Sequence, residues 1–292
     1  MTILIPHNRR SWLFIPGADG TKLDQGPVSG ADVLIQELED FTPPERRPQA
    51  RGLGPDALHK WRSASCVAAV RINPLEDCGV LDLEAIMPGR PNVIMMAMVE
   101  SAEQIRALDA EIARNEKLCG IESGATEIVP NIETAKGLIR LGDIAAASRR
   151  VTGMLLATED MVADLGGERT PEGRELEYAR SRFLVECVAA GVLAIDCPYT
   201  FSERSHLETD VRHARSLGYK AKSIVNVDQV EAINKLLTPS GREVMHARAV
   251  IAAFESARVI GLDRAEVDGL MVEVPTYRAA KRLLKRYEEL AQ

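Results

Sequence analysis

The chain has few aromatic residues, and aliphatic side chains supply most of its apolar content. Only 4% of its 292 residues are aromatic, while the hydrophobic share is 46%. An apolar content drawn from Ala, Val, Ile and Leu suits an α/β protein better than a β-sandwich. The length admits either one large barrel or two ordinary domains, so length alone does not decide the architecture.

Other features are also missing. The five cysteines are scattered and show no CxxC spacing, which fits free thiols in a reducing compartment. No apolar run approaches the length of a membrane span, and no signal peptide is visible near the start. The net charge of −7 argues mildly against a nucleic-acid partner. We therefore expect a cytoplasmic protein that binds neither membrane nor nucleic acid.

Short apolar runs alternate along the chain with longer amphipathic ones. Eight runs are predicted strands: Ser11–Ile15, Asp32–Leu38, Cys66–Ile72, Val93–Val99, Glu127–Ile132, Val151–Ala157, Leu193–Asp196 and Ala221–Val225. Helical spacing is found between most of them: Pro44–Trp61, Leu81–Met87, Ala102–Lys117, Ala135–Ala147, Pro171–Ala190 and Ser202–Leu217. Right-handed crossovers between eight parallel strands, without a break in composition, predict an α/β fold of the (β/α)₈ TIM-barrel type.

The pattern changes after Leu237. A turn signal at Thr238-Pro-Ser-Gly precedes a predicted helix at Glu243–Val259, a short strand at Leu270–Val274 and a final helix at Thr276–Leu290. We therefore predict a barrel domain over 1–238 and a C-terminal helical extension over 239–292. The extension either caps the barrel or extends to another subunit.

Two carboxylates follow neighbouring predicted strands: Glu133 after strand five and Asp160 after strand six. The active site of a barrel lies at the carboxyl ends of its strands. Hard cations such as Mg²⁺ take oxygen ligands, usually one or two carboxylates together with water and substrate. The pair therefore predicts a Mg²⁺ site. The alternative is that each acid is an ordinary loop residue or helix cap.

Arg71 ends the third predicted strand, and Glu39 and Asp40 follow the second. An arginine fork matches a carboxylate, so Arg71 is a candidate for binding an anionic substrate. It could instead form a buried structural ion pair with one of the two acids. Of those acids, we expect one to orient metal-bound water and the other to cap the next helix.

Two further strand-end groups remain open. Asp196, at the end of strand seven, is either a site residue or a loop residue. Lys222, in strand eight, would act as a Schiff-base nucleophile only if burial lowered its pKa.

The motifs resemble those of the HpcH/HpaI aldolase and citrate lyase β-subunit-like family, in the branch that contains malyl-CoA and citramalyl-CoA lyases. The resemblance extends from about residue 9 to residue 283, with the motifs in the family's order. It rests on Arg9-Arg-Ser-Trp-Leu-Phe-Ile-Pro-Gly, Leu38-Glu-Asp, Val70-Arg-Ile-Asn, Val99-Glu-Ser-Ala-Glu, Ile132-Glu-Thr-Ala-Lys-Gly-Leu, Glu159-Asp-Met-Val-Ala-Asp-Leu-Gly and Leu176-Glu-Tyr-Ala-Arg-Ser.

The resemblance implies a barrel with a C-terminal extension, assembled as a homotrimer or homohexamer. It implies that Glu133 and Asp160 are Mg²⁺ ligands and that Arg71 binds the substrate's carboxylate or carbonyl oxygens. It further implies that Glu39 and Asp40 accept hydrogen bonds from the metal's water molecules.

The roles of three more residues come from the resemblance alone. Arg10 and Lys22 fall near positions that contact the phosphates of CoA in members that use it. An acid on the extension, which the family lends to a neighbouring subunit's site, falls at Glu273 in Gly269-Leu-Met-Val-Glu-Val-Pro.

The sequence departs from the family pattern at four places. The family usually has aspartate where Glu273 and Glu37 stand. It commonly has Ile-His-Pro where this chain has Val225-Asn226-Val227, and Pro-Lys where this chain has Ala97-Met98. Several of these positions line the acyl or CoA channel in the family, so they bear on the substrate rather than on the fold.

The predicted function is that of a Mg²⁺-dependent carbon–carbon lyase. It would cleave or form a 3-hydroxyacyl-CoA such as malyl-CoA or citramalyl-CoA, with acetyl-CoA and a 2-oxo acid as the other partners. One alternative is a metal-dependent pyruvate aldolase that does not use CoA. Another is a non-catalytic subunit that retains the barrel.

Overall fold

The computed structural model describes residues 5–201 and 204–291, with only the backbone at 204 and 205. These residues fall into two compact units, one ending at Asn234 and the other beginning at Lys235. The predicted domains 1–238 and 239–292 place their boundary a few residues later, and their status as separate domains stays a prediction.

The first unit is built around a closed barrel of eight parallel strands. Each strand pairs with the next along the chain, and the last pairs with the first. The strands are β1 Ser11–Pro16, β2 Val33–Glu37, β3 Val67–Ile72, β4 Val93–Met96, β5 Glu127–Ile132, β6 Gly153–Leu156, β7 Leu193–Asp196 and β8 Ala221–Ile224. All eight predicted strands are present, so the predicted (β/α)₈ fold is confirmed.

Helices follow the strands around the barrel. They are α1 Gly20–Gln25, α2 Arg47–Ser63, α3 Val80–Ile86, α4 Ala102–Leu118, α5 Ala135–Leu138, α6 Leu141–Ala146, α7 Thr158–Leu165, α8 Glu177–Ala190, α9 Arg204–Leu217 and α10 Val230–Leu237. The short helices α1, α7 and α10 were not predicted, because an amphipathic period is hard to detect over six to eight residues. The first two residues of the helix predicted from Ser202 lie outside the described residues.

Two predicted helix boundaries were wrong. The helix expected over Ala135–Ala147 is divided into α5 and α6 by a break at Ile139 and Arg140. The helix expected from Pro171 begins only at Glu177, because Gly173 has a left-handed backbone (φ 65°) that interrupts the first turn. Both errors are local and leave the order of elements unchanged.

The barrel interior is filled by side chains from alternate positions of all eight strands. Side chains two residues apart on a strand face the same side. The interior residues are Trp12, Phe14, Val33, Ile35, Val67, Ala69, Val93, Met95, Val129, Leu155, Ala157, Leu193, Ile195 and Ala221. The intervening strand residues face the surrounding helices. This alternation determines which polar residues enter the site.

The second unit contains a helical pair and a small antiparallel sheet. Helix α11 (Gly241–Val259) begins at a capping box formed by Ser240 and Glu243. Strands β9 (Ala265–Val267) and β10 (Leu270–Val272) pair with each other, and α12 (Val274–Leu290) follows. Phe254 stacks on Tyr277, with ring centroids 4.8 Å apart, in the apolar cluster between the two long helices. The predicted helices and strand of the extension are therefore present; β9 was not predicted.

Within the described residues, no helix combines the length and the apolar character needed to cross a bilayer. The five cysteines there are free thiols.

Candidate active site at the carboxyl end of the barrel

Strand alternation directs a set of charged side chains into the carboxyl end of the barrel. Glu37 follows the interior residue Ile35 by two positions, and Arg71 follows the interior residue Ala69 by two. Both charged side chains therefore lie above the apolar filling of the barrel. Glu37 is fully buried, and Arg71 is 5% exposed.

Arg71 is the centre of the site. Its Nε donates a hydrogen bond to Glu37 Oε1 at 2.9 Å. Its Nη2 lies 3.1 Å from Glu39 Oε2 and 3.6 Å from Asp40 Oδ2, and its Nη1 lies 3.8 Å from Glu133 Oε1. Burial opposes the positive charge, but the carboxylates of Glu37, Glu39 and Glu133 outweigh it and raise the pKa of Arg71. Arg71 is therefore a fixed cation that four carboxyl groups surround.

Glu37 has a role that the sequence did not predict. Its carboxylate accepts the Arg71 hydrogen bond and also those of two backbone N–H groups, from Glu39 at 2.7 Å and from Phe41 at 2.5 Å. One buried acid thus positions the arginine and the loop that carries the neighbouring acids. The sequence shows Glu37 as a polar residue near the end of strand two and as a departure from the family's aspartate, and its spacing from Ile35 indicates an inward-facing side chain.

Two aromatic rings flank the guanidinium group. The Arg71 Cζ atom lies 4.9 Å from the centroid of the Phe14 ring and 5.7 Å from that of Phe41. Phe14 is buried, whereas Phe41 is 42% exposed. The rings restrict the rotation of Arg71 through cation–π contacts. The contact of Phe41 with Arg71 depends on the conformation of the loop after β2, and no sequence pattern predicts it.

Glu133 continues the interior face of β5, two residues after Asn131. It is 2% exposed; its Oε2 accepts the Met98 backbone N–H at 2.9 Å, and its Oε1 lies 3.4 Å from Asn131 Nδ2. Burial raises the pKa of Glu133 to about 7, against the opposing effect of Arg71, and the nearby charge of Asp160 contributes to the increase. A buried carboxyl group with so few donors is poorly compensated as an anion.

Met98 provides that donor from an unusual backbone conformation. Its φ is 54°, in the left-handed region that a residue with a side chain seldom adopts. This conformation ends β4 at Met96, three residues earlier than the predicted end at Val99. Strain of this kind is commonly found at functional sites.

Asp160 lies in the first turn of α7, close enough to affect the ionisation of the other acids. Burial raises its pKa, the charge of Asp40 adds to the increase, and Arg71 opposes it. Asp160 is thus part of the same cluster as Glu133, Arg71 and Asp40. The sequence placed it correctly after strand six but did not predict the helix on which it lies.

Glu39 and Asp40 differ in exposure. Burial raises the pKa of Glu39 to about 8, with further increases from Asp40 and Glu133 and an opposing effect from Arg71. Asp40 is exposed to solvent.

The expectation that Glu39 or Asp40 caps the next helix was wrong: the residue before α2 is Arg46, and no side-chain cap bond is made there. Both acids instead face Arg71.

The cluster has more oxygen acceptors than hydrogen-bond donors. The cluster contains five carboxyl groups, four around the guanidinium group of Arg71 and that of Asp160 nearby, so its formal charge is −4 when all are ionised. Asn131 Oδ1 and Glu39 Oε2 are buried and have no hydrogen-bond donor among the described residues; the latter meets Arg71 only at ion-pair distance. This surplus fits a hard cation.

In the described ranges, no three His, Cys, Asp or Glu side chains form a complete metal cage. The Mg²⁺ site predicted at Glu133 and Asp160 therefore stays a prediction.

Arg10, Lys22 and Glu273 are the three site residues that the resemblance alone implied. Arg10 precedes β1 at the amino end of the barrel, where its guanidinium group binds Asp32 at 2.8 and 2.9 Å. The structure does not bring it near Arg71, since a strand of six residues spans about 20 Å. Lys22 is exposed in α1, on the side of the site, and lies 3.7 Å from Asp19. Glu273 is exposed in the second unit, immediately before α12, where it makes no side-chain cap bond.

A second charged cluster faces away from the barrel interior. Lys222 and Asp196 alternate with the interior residues Ala221 and Ile195, so their side chains point toward the helices. Lys222 Nζ donates to Asp196 Oδ2 at 2.6 Å, and Arg180 of α8 binds the same carboxylate at 2.8 and 2.9 Å. Asp196 therefore belongs to a structural network rather than to the site.

Lys222 is also unsuited to Schiff-base chemistry. It is fully buried, which would lower its pKa, but the carboxylates of Asp196 and Asp210 outweigh burial and raise the pKa. A permanently protonated amine is not a nucleophile.

The architecture and the charged cluster together define a barrel enzyme with its site at the carboxyl ends of the strands. Comparison with known proteins makes the assignment specific. The family model "HpcH/HpaI aldolase/citrate lyase" matches residues 10–227. The chain belongs to this family.

Individual relatives match over nearly the whole chain. Citrate lyase subunit beta of Escherichia coli (strain K12) is 36% identical over 283 residues, which cover 96% of this chain and 93% of the relative. A (3S)-malyl-CoA thioesterase of Cereibacter sphaeroides is 29% identical over 293 residues, covering 98% and 96%. The crystal structure of CitE from Mycobacterium tuberculosis in complex with magnesium, acetoacetate and coenzyme A is 27% identical, has a TM-score of 0.78 and covers 96% of this chain and 98% of that one.

These findings confirm the family resemblance and the predicted enzyme class, a lyase of the citrate lyase β-like kind. The alternative of a non-catalytic barrel is thereby set aside.

Proposed function

We propose that the protein cleaves, or forms in the reverse direction, a 3-hydroxyacyl-CoA of the malyl-CoA or citramalyl-CoA type. The products of cleavage would be acetyl-CoA and a 2-oxo acid. The observation that carries this proposal is the buried guanidinium group of Arg71 above the barrel interior, within a cluster of carboxyl groups at the carboxyl end of the barrel. Such a site offers one cation for a substrate carboxylate and oxygen ligands for a metal.

Glu133 and Asp160 would hold Mg²⁺, in line with the magnesium present in the related CitE structure. The bound ion would supply a Lewis acid that polarises the 2-oxo acid's carbonyl oxygen and stabilises developing negative charge. Glu39 and Asp40 would accept hydrogen bonds from water around the ion. The raised pKa values of Glu133 and Glu39 describe the metal-free protein, and a divalent cation would favour ionisation of both.

Arg71 would bind the carboxylate of the 2-oxo acid half. Its Nε is already held by Glu37, so the guanidinium plane is oriented before the substrate arrives. Preorganised charge of this kind is most effective where water is excluded, and Arg71 is 5% exposed.

Glu273, supplied by a second copy in a homotrimer or homohexamer, would remove the proton from acetyl-CoA in the condensation direction. A positioned general base contributes about 10²–10⁴-fold to such a step. The side chain is exposed and makes no cap bond to α12, which leaves its carboxylate available.

Lys22, exposed on the site's side of the barrel, is the better-placed contact for CoA phosphates; Arg10, at the opposite end, has no such support. A cytoplasmic location would suit a CoA-dependent enzyme with free thiols.

Two alternative functions have specific support. The 36% identity to a citrate lyase subunit beta favours a thioester of citrate. The Met98 and Asn226 departures from the family pattern favour a pyruvate aldolase that does not use CoA.

A thioester panel tests the proposal. Malyl-CoA, citramalyl-CoA and citryl-CoA are each incubated with the Mg²⁺-loaded protein, and the products are identified by mass. We expect acetyl-CoA together with glyoxylate or pyruvate. If only citryl-CoA is cleaved, with release of oxaloacetate, the result would favour a citryl-CoA lyase. If pyruvate gives aldol products and no CoA thioester reacts, the result would favour the pyruvate aldolase.

A further inference from the structure

Phe41 is a large aromatic side chain at the open side of the arginine that would bind substrate. Its ring centroid lies 5.7 Å from Arg71 Cζ and 6.2 Å from the centroid of Phe14. Phe14 lies on the interior face of the barrel and is buried, whereas Phe41 remains 42% exposed. A carboxylate that binds Arg71 would therefore bring its attached carbon atoms against the accessible surface of Phe41.

The backbone of Phe41 is fixed by the acid that orients the arginine. The Phe41 N–H donates to Glu37 Oε2 at 2.5 Å, while Glu37 Oε1 accepts from Arg71 Nε. Arg71 and Phe41 are thus positioned by one buried carboxylate. The held backbone places the ring as a wall beside the guanidinium group, in contact with Arg71 and Phe14.

The Phe41 ring and the carboxylates that surround Arg71 disfavour a second anionic group on a bound acid. The guanidinium group of Arg71 already lies within 2.9–3.8 Å of carboxylate oxygens of Glu37, Glu39, Asp40 and Glu133. Arg169, from the neighbouring loop, is paired with Glu159 and Glu175. An aromatic face also carries partial negative charge and does not solvate a carboxylate. A substituent that meets Phe41 is therefore best accommodated when it is small and uncharged.

We propose, on the basis of the function proposed above, that Phe41 is a specificity-determining residue of this site. It selects monocarboxylic 2-oxo acids with a small uncharged substituent, such as glyoxylate and pyruvate, and discriminates against dicarboxylic ones such as oxaloacetate. Phe41 takes no part in bond breaking.

Equilibrium binding tests this assignment without relying on turnover. The dissociation constants of pyruvate and oxaloacetate are measured by titration calorimetry with the Mg²⁺-loaded full-length protein. Wild type is expected to bind pyruvate more tightly. Phe41→Ala is expected to shift the ratio of the two constants toward oxaloacetate by about tenfold, the scale on which pocket walls discriminate substituents. Phe41→Leu, which keeps an apolar wall, is expected to shift the ratio less.

Tyr178→Ala provides the matched control, because Tyr178 is an aromatic residue that is 70% exposed on the outer helix α8. It should leave both constants unchanged. If Phe41 has only a structural role, Phe41→Ala will lower the melting temperature and weaken the binding of both acids equally. An unchanged ratio of the two dissociation constants in Phe41→Ala, or tighter binding of oxaloacetate by wild type, overturns the assignment of Phe41 alone. Failure of wild type to bind either acid overturns the proposed function and this assignment together.

Discussion

Glu37 and Arg71 form a buried ion pair in which the arginine Nε donates to the carboxylate at 2.9 Å, and Glu37 is completely shielded from solvent. The same carboxylate accepts the backbone N–H groups of Glu39 and Phe41. A single side chain on β2 thus couples Arg71 of β3 to the loop that carries Glu39 and Asp40. The pairing of β2 with β3 places Glu37 directly beside Arg71 in register.

We expect Glu37→Gln to weaken binding of a 2-oxo acid by at least about tenfold, or ~1.4 kcal/mol. The amide has one acceptor oxygen where the carboxylate has two, so at least one of its three donors loses its partner. Affinity is measured by calorimetry, and folding by the melting temperature. Glu37→Asp, which keeps the charge, should recover part of the affinity. A lower melting temperature with unchanged affinity would show that Glu37 has only a structural role.

Glu133→Ala and Asp160→Ala should each abolish stabilisation by Mg²⁺. At a free concentration about 100-fold above its Kd, a ligand that binds only the folded protein stabilises it by about 2.7 kcal/mol. Thermal unfolding with Mg²⁺ or with EDTA measures this difference. Glu159→Ala is the control, because Glu159 is adjacent to Asp160 but half-exposed and paired with Arg169. Retained stabilisation in either ligand variant would exclude that residue as a ligand.

The metal-free protein should lose stability as the pH rises from about 4 to about 8. Burial raises the pKa of Glu133 to about 7 and that of Glu39 to about 8, so both groups bind more protons in the folded chain than in the unfolded one over this range. Stability falls wherever the folded state holds more protons.

Mg²⁺ requires ionised ligands, so the melting-temperature increase that it produces should be larger at pH 8 than at pH 5.5. Measurements at several pH values, with and without Mg²⁺, separate the two effects. Glu133→Gln should flatten the metal-free profile. An equal Mg²⁺ effect at both pH values would contradict the raised pKa values.

Lys222→Ala should destabilise the protein strongly without removing a catalytic nucleophile. Its ammonium group is buried between Asp196 and Asp210, and breaking a buried ion pair by removing one partner costs about 3–5 kcal/mol. Wild type should form no covalent adduct when pyruvate is added with borohydride, as judged by intact mass. A trapped adduct at Lys222 would show that the amine loses its proton, in conflict with its raised pKa.

The sequence by itself determined the barrel and much of the site. Strand order, the eight apolar runs and the strand-end position of Arg71 and Glu133 follow from local periodicity, because each strand carries its own alternation of inward and outward side chains. Those residues and their neighbours can therefore be assigned to one end of the barrel from the sequence alone.

Only the tertiary structure decided how the charged groups are used. Asp196 and Lys222 also lie on barrel strands, but their alternation with Ile195 and Ala221 turns them outward into a structural network. The partnership of Glu37 with Arg71 and the approach of Phe41 depend on strand register and on a loop that folds around a buried carboxylate. Burial then raises the pKa values of Glu39 and Glu133, because removal from water is a property of the assembled barrel and not of either residue's neighbours in the chain.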